Sequence, residues 1–230
     1  AVETQFKKDA ELERAMIEGY WQWVQETGAD SEYRVVEPEA YLEADLPELG
    51  DVKIIAKIDV RVLRTTDARR LWLEHKTVGS FQQKLATINL DEQVLHQTLV
   101  ESLQPGDRLR VVGVLYNMLR RVKRTAAAKP PFYGREEVSH NINELRNHWR
   151  HVMSIARAIE SARDDLDGGL SHHHVAPPSP DRSCSWQCEF FRVCPLFDDG
   201  SDVEAALEDL YVEGDPLERY VGIAEYEDEA

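Results

Sequence analysis

Residues 54–78 constrain the fold most, because they contain two strand-forming runs joined by a short polar turn at 65–68. In the first run Ile54, Ala56, Ile58, Val60 and Val62 share one parity, while Ile55, Lys57, Asp59, Arg61 and Leu63 share the other. Such period-two alternation, rich in β-branched residues, describes a strand whose two faces meet different surroundings. The second run, 70–78, sets Leu71 and Leu73 against Trp72, Glu74, Lys76 and Val78, so Glu74 and Lys76 point the same way. The pair of strands therefore offers Asp59 on one and Glu74 with Lys76 on the other. A carboxylate inside an apolar run is costly unless a cation meets it.

Helix and strand signals alternate around this pair. Residues 6–27 place Leu12, Met16, Tyr20, Trp23 and Val24 at helical spacing and stop at Gly28. Residues 33–46 read as one or two strands broken at Pro38. Beyond Gly79 a polar loop leads to Asp91, a helix cap, and Val94, Leu95, Leu99 and Leu103 give a helix closed by Pro105 and Gly106. Residues 108–116 are apolar at both parities, as in a central strand. A basic stretch and the Lys129-Pro130-Pro131 turn precede a long helix over 136–163, in which Val138, Ile142, Leu145, Trp149, Val152, Ala156 and Ile159 step by three and four. This order predicts an α/β core over residues 1–166, a mixed central sheet flanked by helices. Residues 167–230 are expected to hold a Gly- and Pro-rich linker, a cysteine segment and an acidic tail with a helical pattern near 203–210.

Charge narrows the partners. Asp and Glu number 43 against 27 Lys and Arg, for a net charge of -16. Phosphate binding runs on Lys and Arg, so this balance argues against a general nucleic-acid coat and leaves a nuclease open. The acid is concentrated after residue 197. The middle is locally basic, and Arg108, Arg110, Arg120, Arg121, Lys123, Arg124 and Lys129 form a candidate DNA track, with a solvated strand edge and loop as the plain alternative. No apolar run reaches the roughly 18–20 residues of a membrane span. The beginning carries no signal-peptide pattern, which predicts a cytoplasmic setting.

Cys184, Cys188 and Cys194 are the only cysteines. An odd, clustered set suits a metal site better than a disulfide framework. Three thiolates hold an iron-sulfur cluster with an outside fourth ligand, or a zinc with a histidine from His172, His173 or His174. Three reduced cysteines in a small core are the remaining reading. Trp186, Phe190, Phe191 and Phe197 are expected to wall such a site from water.

Metal-assisted phosphodiester hydrolysis needs carboxylates to hold divalent ions and a cation near the attacking water or developing charge. Asp59 and Glu74 suit the first role, with the backbone carbonyl of His75 as a further ligand, and Lys76 suits the second. Mg²⁺ prefers oxygen donors and retains waters, so this small set suffices. A helix opening at Asp91-Glu92-Gln93 and aimed back at the site brings Gln93 to substrate or water. A surface ion pair on a strand is the competing reading of Glu74 and Lys76.

Ile58-Asp59, Leu73-Glu74-His75-Lys76-Thr77 and Asp91-Glu92-Gln93 resemble the metal and substrate motifs of the PD-(D/E)xK nucleases, nearest to the RecB-like exonucleases with their CRISPR-associated and bacteriophage members. Cys184-x3-Cys188-x5-Cys194-Pro195 is similar to the cysteine cluster that closes those proteins, where a fourth cysteine near the amino terminus completes a [4Fe-4S] site. The resemblance implies a restriction-endonuclease-like core with a C-terminal cysteine-cluster appendage. It further implies a Mg²⁺- or Mn²⁺-dependent deoxyribonuclease of the exonuclease kind, with Asp59, Glu74 and His75 on the metal, Lys76 positioning or activating water, and Gln93 assisting. DNA is the implied partner, with recombination, CRISPR or phage proteins beside it, in a bacterium or a phage-infected host.

Two departures accompany it. The branch carries a tyrosine four residues after the glutamine, and here Gln97 follows Gln93. It also places its fourth cysteine and a metal-binding histidine before the first strands, and neither residue type occurs ahead of Asp59. Since the chain starts at Ala1, the expectation is that a preceding segment was removed or was never observed, with Glu11 and Glu18 of the first helix as substitute ligands or solvated charges. The rival expectation is a catalytically inactive nuclease-fold module for DNA binding or assembly.

Overall fold

The computed structural model describes residues 2–104 and 111–214. The chain packs as two compact units, 1–151 and 152–230.

The first unit is built on a five-stranded mixed sheet. Its strands are β1 (Tyr33–Asp45), β2 (Lys53–Arg64), β3 (Arg70–Val78), β4 (Val111–Arg120) and β5 (Tyr133–Val138), and they lie in that order across the sheet. β3 and β4 run parallel, and the other three pairings are antiparallel. A parallel pair needs a crossover, and the chain between these strands carries α2 (Phe81–Thr87) and α3 (Glu92–Ser102).

Two helices cover opposite faces. Along β4, Val114, Tyr116 and Met118 join Trp72, Val94 and Val100 in the larger core, on the side of α3. Leu119, at the other parity, packs with Tyr133 against Met16, Leu12, Tyr20 and Trp23 of α1 (Val2–Thr27). Trp72, Tyr116, Val94, Val100 and Val114 are completely buried, and each contributes on the order of 1.5–3 kcal/mol of transfer free energy. The predicted α/β class, with helices flanking a mixed sheet, is the architecture observed.

The pairing of β2 positions the site. It shares eleven register pairs with β1 but only four with β3, from Leu63↔Arg70 to Val60↔Leu73. Past Val60 the two strands part, and continuing the register by one step brings Asp59 opposite Glu74.

Several local expectations need correction. Pro38 does not break the first strand: β1 runs through it, with a register shift between Val35 and Glu37 and a positive φ of 50° at Glu39. An edge strand tolerates a residue that lacks an N–H. The stretch 79–91, expected to be a loop, contains α2, capped by Ser80, and a 3₁₀ turn at Ile88–Leu90. Glu136–Val138 belong to β5 and not to the long helix. That helix, α4 (Ile142–Asp167), begins at a capping box in which Asn141 Oδ1 accepts from the N–H of Glu144 at 3.2 Å and Glu144 Oε2 accepts from the N–H of Asn141 at 2.6 Å. β4 extends to Arg120, four residues past the predicted end, while Pro105, Gly106, Arg108 and Arg110 lie outside the described residues.

The second unit takes in the end of α4 and the short helices α5 (His172–Val175), α6 (Cys184–Gln187), α7 (Leu196–Asp199) and α8 (Val203–Leu210). Val193 is its fully buried anchor. The expected aromatic wall around the cysteines is not formed: Trp186, Phe190 and Phe191 are 73%, 53% and 49% exposed, and Phe190 stacks on Tyr211 at 5.3 Å. The acidic tail from 215 onward lies outside the described residues. Among the described residues no helix is long and apolar enough to cross a membrane.

Candidate active site

The gap where β2 leaves β3 is bridged by a side chain. The N–H of His75 donates to Asp59 Oδ2 at 2.8 Å. In an extended strand the N–H and C=O of one residue point to the same side, so the His75 carbonyl also opens toward Asp59. The imidazole points to the opposite face. There Arg135, which can only donate, bonds Asn117 Oδ1 through Nε at 3.1 Å and thereby turns the Asn117 amide nitrogen toward His75 Nδ1, 2.9 Å away. Nδ1 is thus the acceptor, and the ring proton sits on Nε2. Arg135 also donates to Ala29 O at 2.5 Å and Tyr20 Oη at 3.0 Å and pairs with Asp30, which ties this support to the end of α1.

Glu74 is 2% exposed. Its Oε1 meets Lys76 Nζ at 2.7 Å and accepts from Gln93 Nε2 at 3.0 Å, and its Oε2 accepts from Gln97 Nε2 at 3.4 Å. Lys76 Nζ also donates to Gln93 Oε1 at 2.6 Å, which closes a ring of three side chains. The helix that delivers Gln93 starts where the sequence predicts. Asp91 caps α3 by accepting from the N–H of Gln93 at 3.2 Å, and Lys84 Nζ holds the same carboxylate at 2.6 Å.

Gln93, Gln97 and Glu101 recur every four residues and form one polar stripe on α3. Gln93 reaches Glu74, Gln97 reaches Glu74 and the Lys57 carbonyl at 2.8 Å, and Glu101 pairs with Arg61 of β2. Sequence reasoning found the first of these and missed the other two as site residues, although the four-residue spacing was a readable signal. It also missed Asn117 and Arg135. A lone amide in the middle of the apolar β4 was the available hint.

Burial pushes the Glu74 carboxyl above its usual range; the hydrogen bond from Lys76 opposes this, and the charge of Asp59 adds to it. At Asp91 burial also acts upward, but the hydrogen bond and charge of Lys84, with the charge of Lys76, carry the carboxyl below its usual value. Burial, together with the charges of Asp91 and Glu74, raises the Tyr116 hydroxyl. The gap therefore holds one poorly hydrated carboxylate, Glu74, with the charge of Asp59 nearby. Its donors, two carboxylates and a main-chain carbonyl, are hard oxygens of the kind that Mg²⁺ and Mn²⁺ prefer. Gln97 Oε1, buried and without a partner among the described residues, adds a further oxygen beside Glu74.

The basic residues gather elsewhere. Arg120 pairs in register with Val78, four residues beyond Glu74, which at strand rise is about 13 Å along β3. Arg120 donates to the carbonyls of Lys129 and Pro131, Arg124 lies 3.7 Å over the Phe132 ring and donates to Tyr133 Oη at 2.6 Å, Arg121 lies 3.7 Å from Asp9, and Lys123 is exposed. Glu11 and Glu18 are exposed on α1.

Cys184, Cys188 and Cys194 are free thiols, half-buried except for the exposed Cys188. Their sulfurs do not form a set within 4.8 Å of one another; among the described residues the group that does is His172, His173 and Asp198. No protein-family model matches the chain, and no curated protein matches it.

Proposed function

We propose that the first unit is a divalent-metal-dependent deoxyribonuclease of the PD-(D/E)xK kind, acting as an exonuclease, and that the cysteines of the second unit hold a structural [4Fe-4S] cluster. The observation that carries this reading is the meeting of Asp59, Glu74, Lys76 and Gln93 at the parted ends of β2 and β3. Asp59, Glu74 and the His75 carbonyl are the ligands for the ion. A bound Mg²⁺ or Mn²⁺ supplies Lewis-acid polarisation of the phosphodiester and a more acidic water.

The chain's own groups do the rest. Lys76 is held against Glu74 and Gln93, so its ammonium is fixed at the rim of the carboxylate pair, where it orients water and meets developing phosphate charge. Gln93 holds both partners through one amide and stays in place because Asp91 caps its helix. The segment around Arg120, Arg121, Lys123 and Arg124 supplies positive charge for the DNA backbone.

The sequence pattern Cys184-x3-Cys188-x5-Cys194-Pro195 is what supports a cluster, with zinc as the alternative centre. Iron and acid-labile sulfide in the purified protein are the expected analysis, and zinc bound by the cysteines is the opposing one.

The test of catalysis is Lys76→Ala, assayed on linear and covalently closed DNA with Mg²⁺ or Mn²⁺. Loss of linear-DNA cleavage with an unchanged circular-dichroism spectrum is the expected result; undiminished cleavage sinks the assignment. A second reading, an inactive module for DNA binding or assembly, is favoured by Gln97, whose amide occupies Glu74 Oε2. DNA binding without cleavage in any divalent metal selects it.

A further inference from the structure

We infer that the second unit contains a separate site for a divalent transition cation of the Zn²⁺ class, formed by His172, His173 and Asp198. It is distinct from the cysteine set and from Asp59 and Glu74. Ser171 caps α5 by accepting from the N–H of His173 at 3.3 Å, so the helix begins with both histidines. Their ring centroids are 3.9 Å apart. Asp198, in α7, brings Oδ1 to 3.3 Å from His173 Nδ1, and one ligand atom from each of the three residues falls within 4.8 Å of the others.

The spacing fits the chemistry. Imidazole nitrogen and carboxylate oxygen bind Zn²⁺ at about 2.0–2.2 Å, which in a tetrahedral site sets them roughly 3.4 Å apart, the separation already found between His173 and Asp198. His172 supplies the independent sign: its Nε2 is buried and, among the described residues, has no hydrogen-bond partner. An imidazole nitrogen shut away from water without a partner carries a desolvation penalty that coordination or a bridging ligand removes. Phe197 packs edge-on against the same ring at 5.3 Å and shields that side of the site.

The consequence is a clasp. Residues 172–173 and 198 bracket Cys184, Cys188 and Cys194, so a bound ion closes the intervening chain into a loop of about 25 residues, with the thiols inside it. With two imidazoles and a carboxylate as borderline donors, this site selects Zn²⁺, Co²⁺ or Ni²⁺ over Mg²⁺, and the thiolates remain available for their own centre.

The test titrates the full chain, in its Cys184→Ser/Cys188→Ser/Cys194→Ser form, with Zn²⁺ by calorimetry and with Co²⁺ by absorption. One equivalent is expected to bind, with no sulfur-to-cobalt charge-transfer band, and tryptic cleavage between residues 174 and 197 is expected to slow. His172→Asn/His173→Asn is expected to weaken binding at least a hundredfold and Asp198→Asn at least tenfold, with the folded circular-dichroism signal retained. Binding that disappears with the cysteines, or that persists unchanged in both ligand variants, overturns the proposal. Nuclease activity plays no part in the readout, so this outcome is independent of the reading given to Asp59 and Glu74.

Discussion

The main-chain N–H of His75 donates to the side chain of Asp59, Oδ2 at 2.8 Å, at the point where β2 and β3 stop pairing. A carboxylate thus takes the place of a ladder carbonyl, and the position of Asp59 is set by the backbone of the strand that carries Glu74 and Lys76. The two acidic residues are held at a common site by the same structural break.

Glu74→Gln is expected to stabilise the metal-free protein and, under the proposed mechanism, to abolish cleavage. The Glu74 carboxyl is held above its usual value of 4.5, chiefly by burial. The folded state therefore binds this proton more tightly than the unfolded state, and the contribution of the group to stability falls as pH rises from 4.5 through the folded value. Thermal unfolding in EDTA from pH 4 to 8 should show that decline in the parent and a flatter, higher curve in the variant. A lower melting temperature for the variant at pH 7 would contradict it.

Asp91→Ala removes the α3 cap and the partner of Lys84, and a loss of about 1–2 kcal/mol is expected from the cap alone. Asp91→Asn keeps a capping oxygen and loses the charge. Because the carboxyl of Asp91 lies below its usual value, its ion-pair contribution is present above pH 3.8 and is lost as pH falls through the folded value. Urea unfolding at pH 7 and pH 3 separates the two effects, and under the proposed mechanism cleavage should drop in Asp91→Ala as Gln93 loses its anchor.

Gly19→Ala runs against helix propensity. Alanine in a helix is favoured over glycine by about 1 kcal/mol, yet here the added Cβ runs into Tyr133 Oη. That hydroxyl is pinned, donating to Met16 O at 2.8 Å and accepting from Arg124 at 2.6 Å. Overpacking of this sort costs about 1–3 kcal/mol, so the variant should be less stable, and adding Tyr133→Phe should recover part of the loss. A denaturant-unfolding double-mutant cycle reads the coupling.

His148 is 8% exposed, and burial, with the nearby His96, holds its imidazole below the usual 6.5. Its share of stability is complete above pH 6.5 and is lost as pH falls toward the folded value, because the unfolded chain takes the proton first. His148→Phe should flatten the melting-temperature profile between pH 6.5 and 5. An unchanged slope would place the acid sensitivity elsewhere.

The alternation that makes β2 and β3 strands is a property of neighbouring residues, and Asp59, Glu74 and Lys76 could be read from it directly. Asp91 was equally legible, since a cap acts on its own helix. What the sequence does not display is pairing: nothing between 54 and 64 marks Val60 as the last residue to bond β3, yet that parting creates the site. β5 escaped notice because Val138 also fits the helical step that continues into α4, and a capping box at Asn141 decides between them. Gln97 looked like a departure from a pattern until the structure gave its amide two acceptors.

β1 is an outer strand of thirteen residues, long enough to invite another chain to add to the sheet. Pro38 removes a donor from its middle, the register shift before Glu37 spoils its straightness, and the left-handed turn at Glu39 twists it again. The exposed Val35 and Val36 sit beside these interruptions. The irregular stretch that reads as a flaw in the strand is therefore its guard against self-association: straightening it, by replacing Pro38 and Glu39 with β-branched residues, would turn this edge into a template for aggregation.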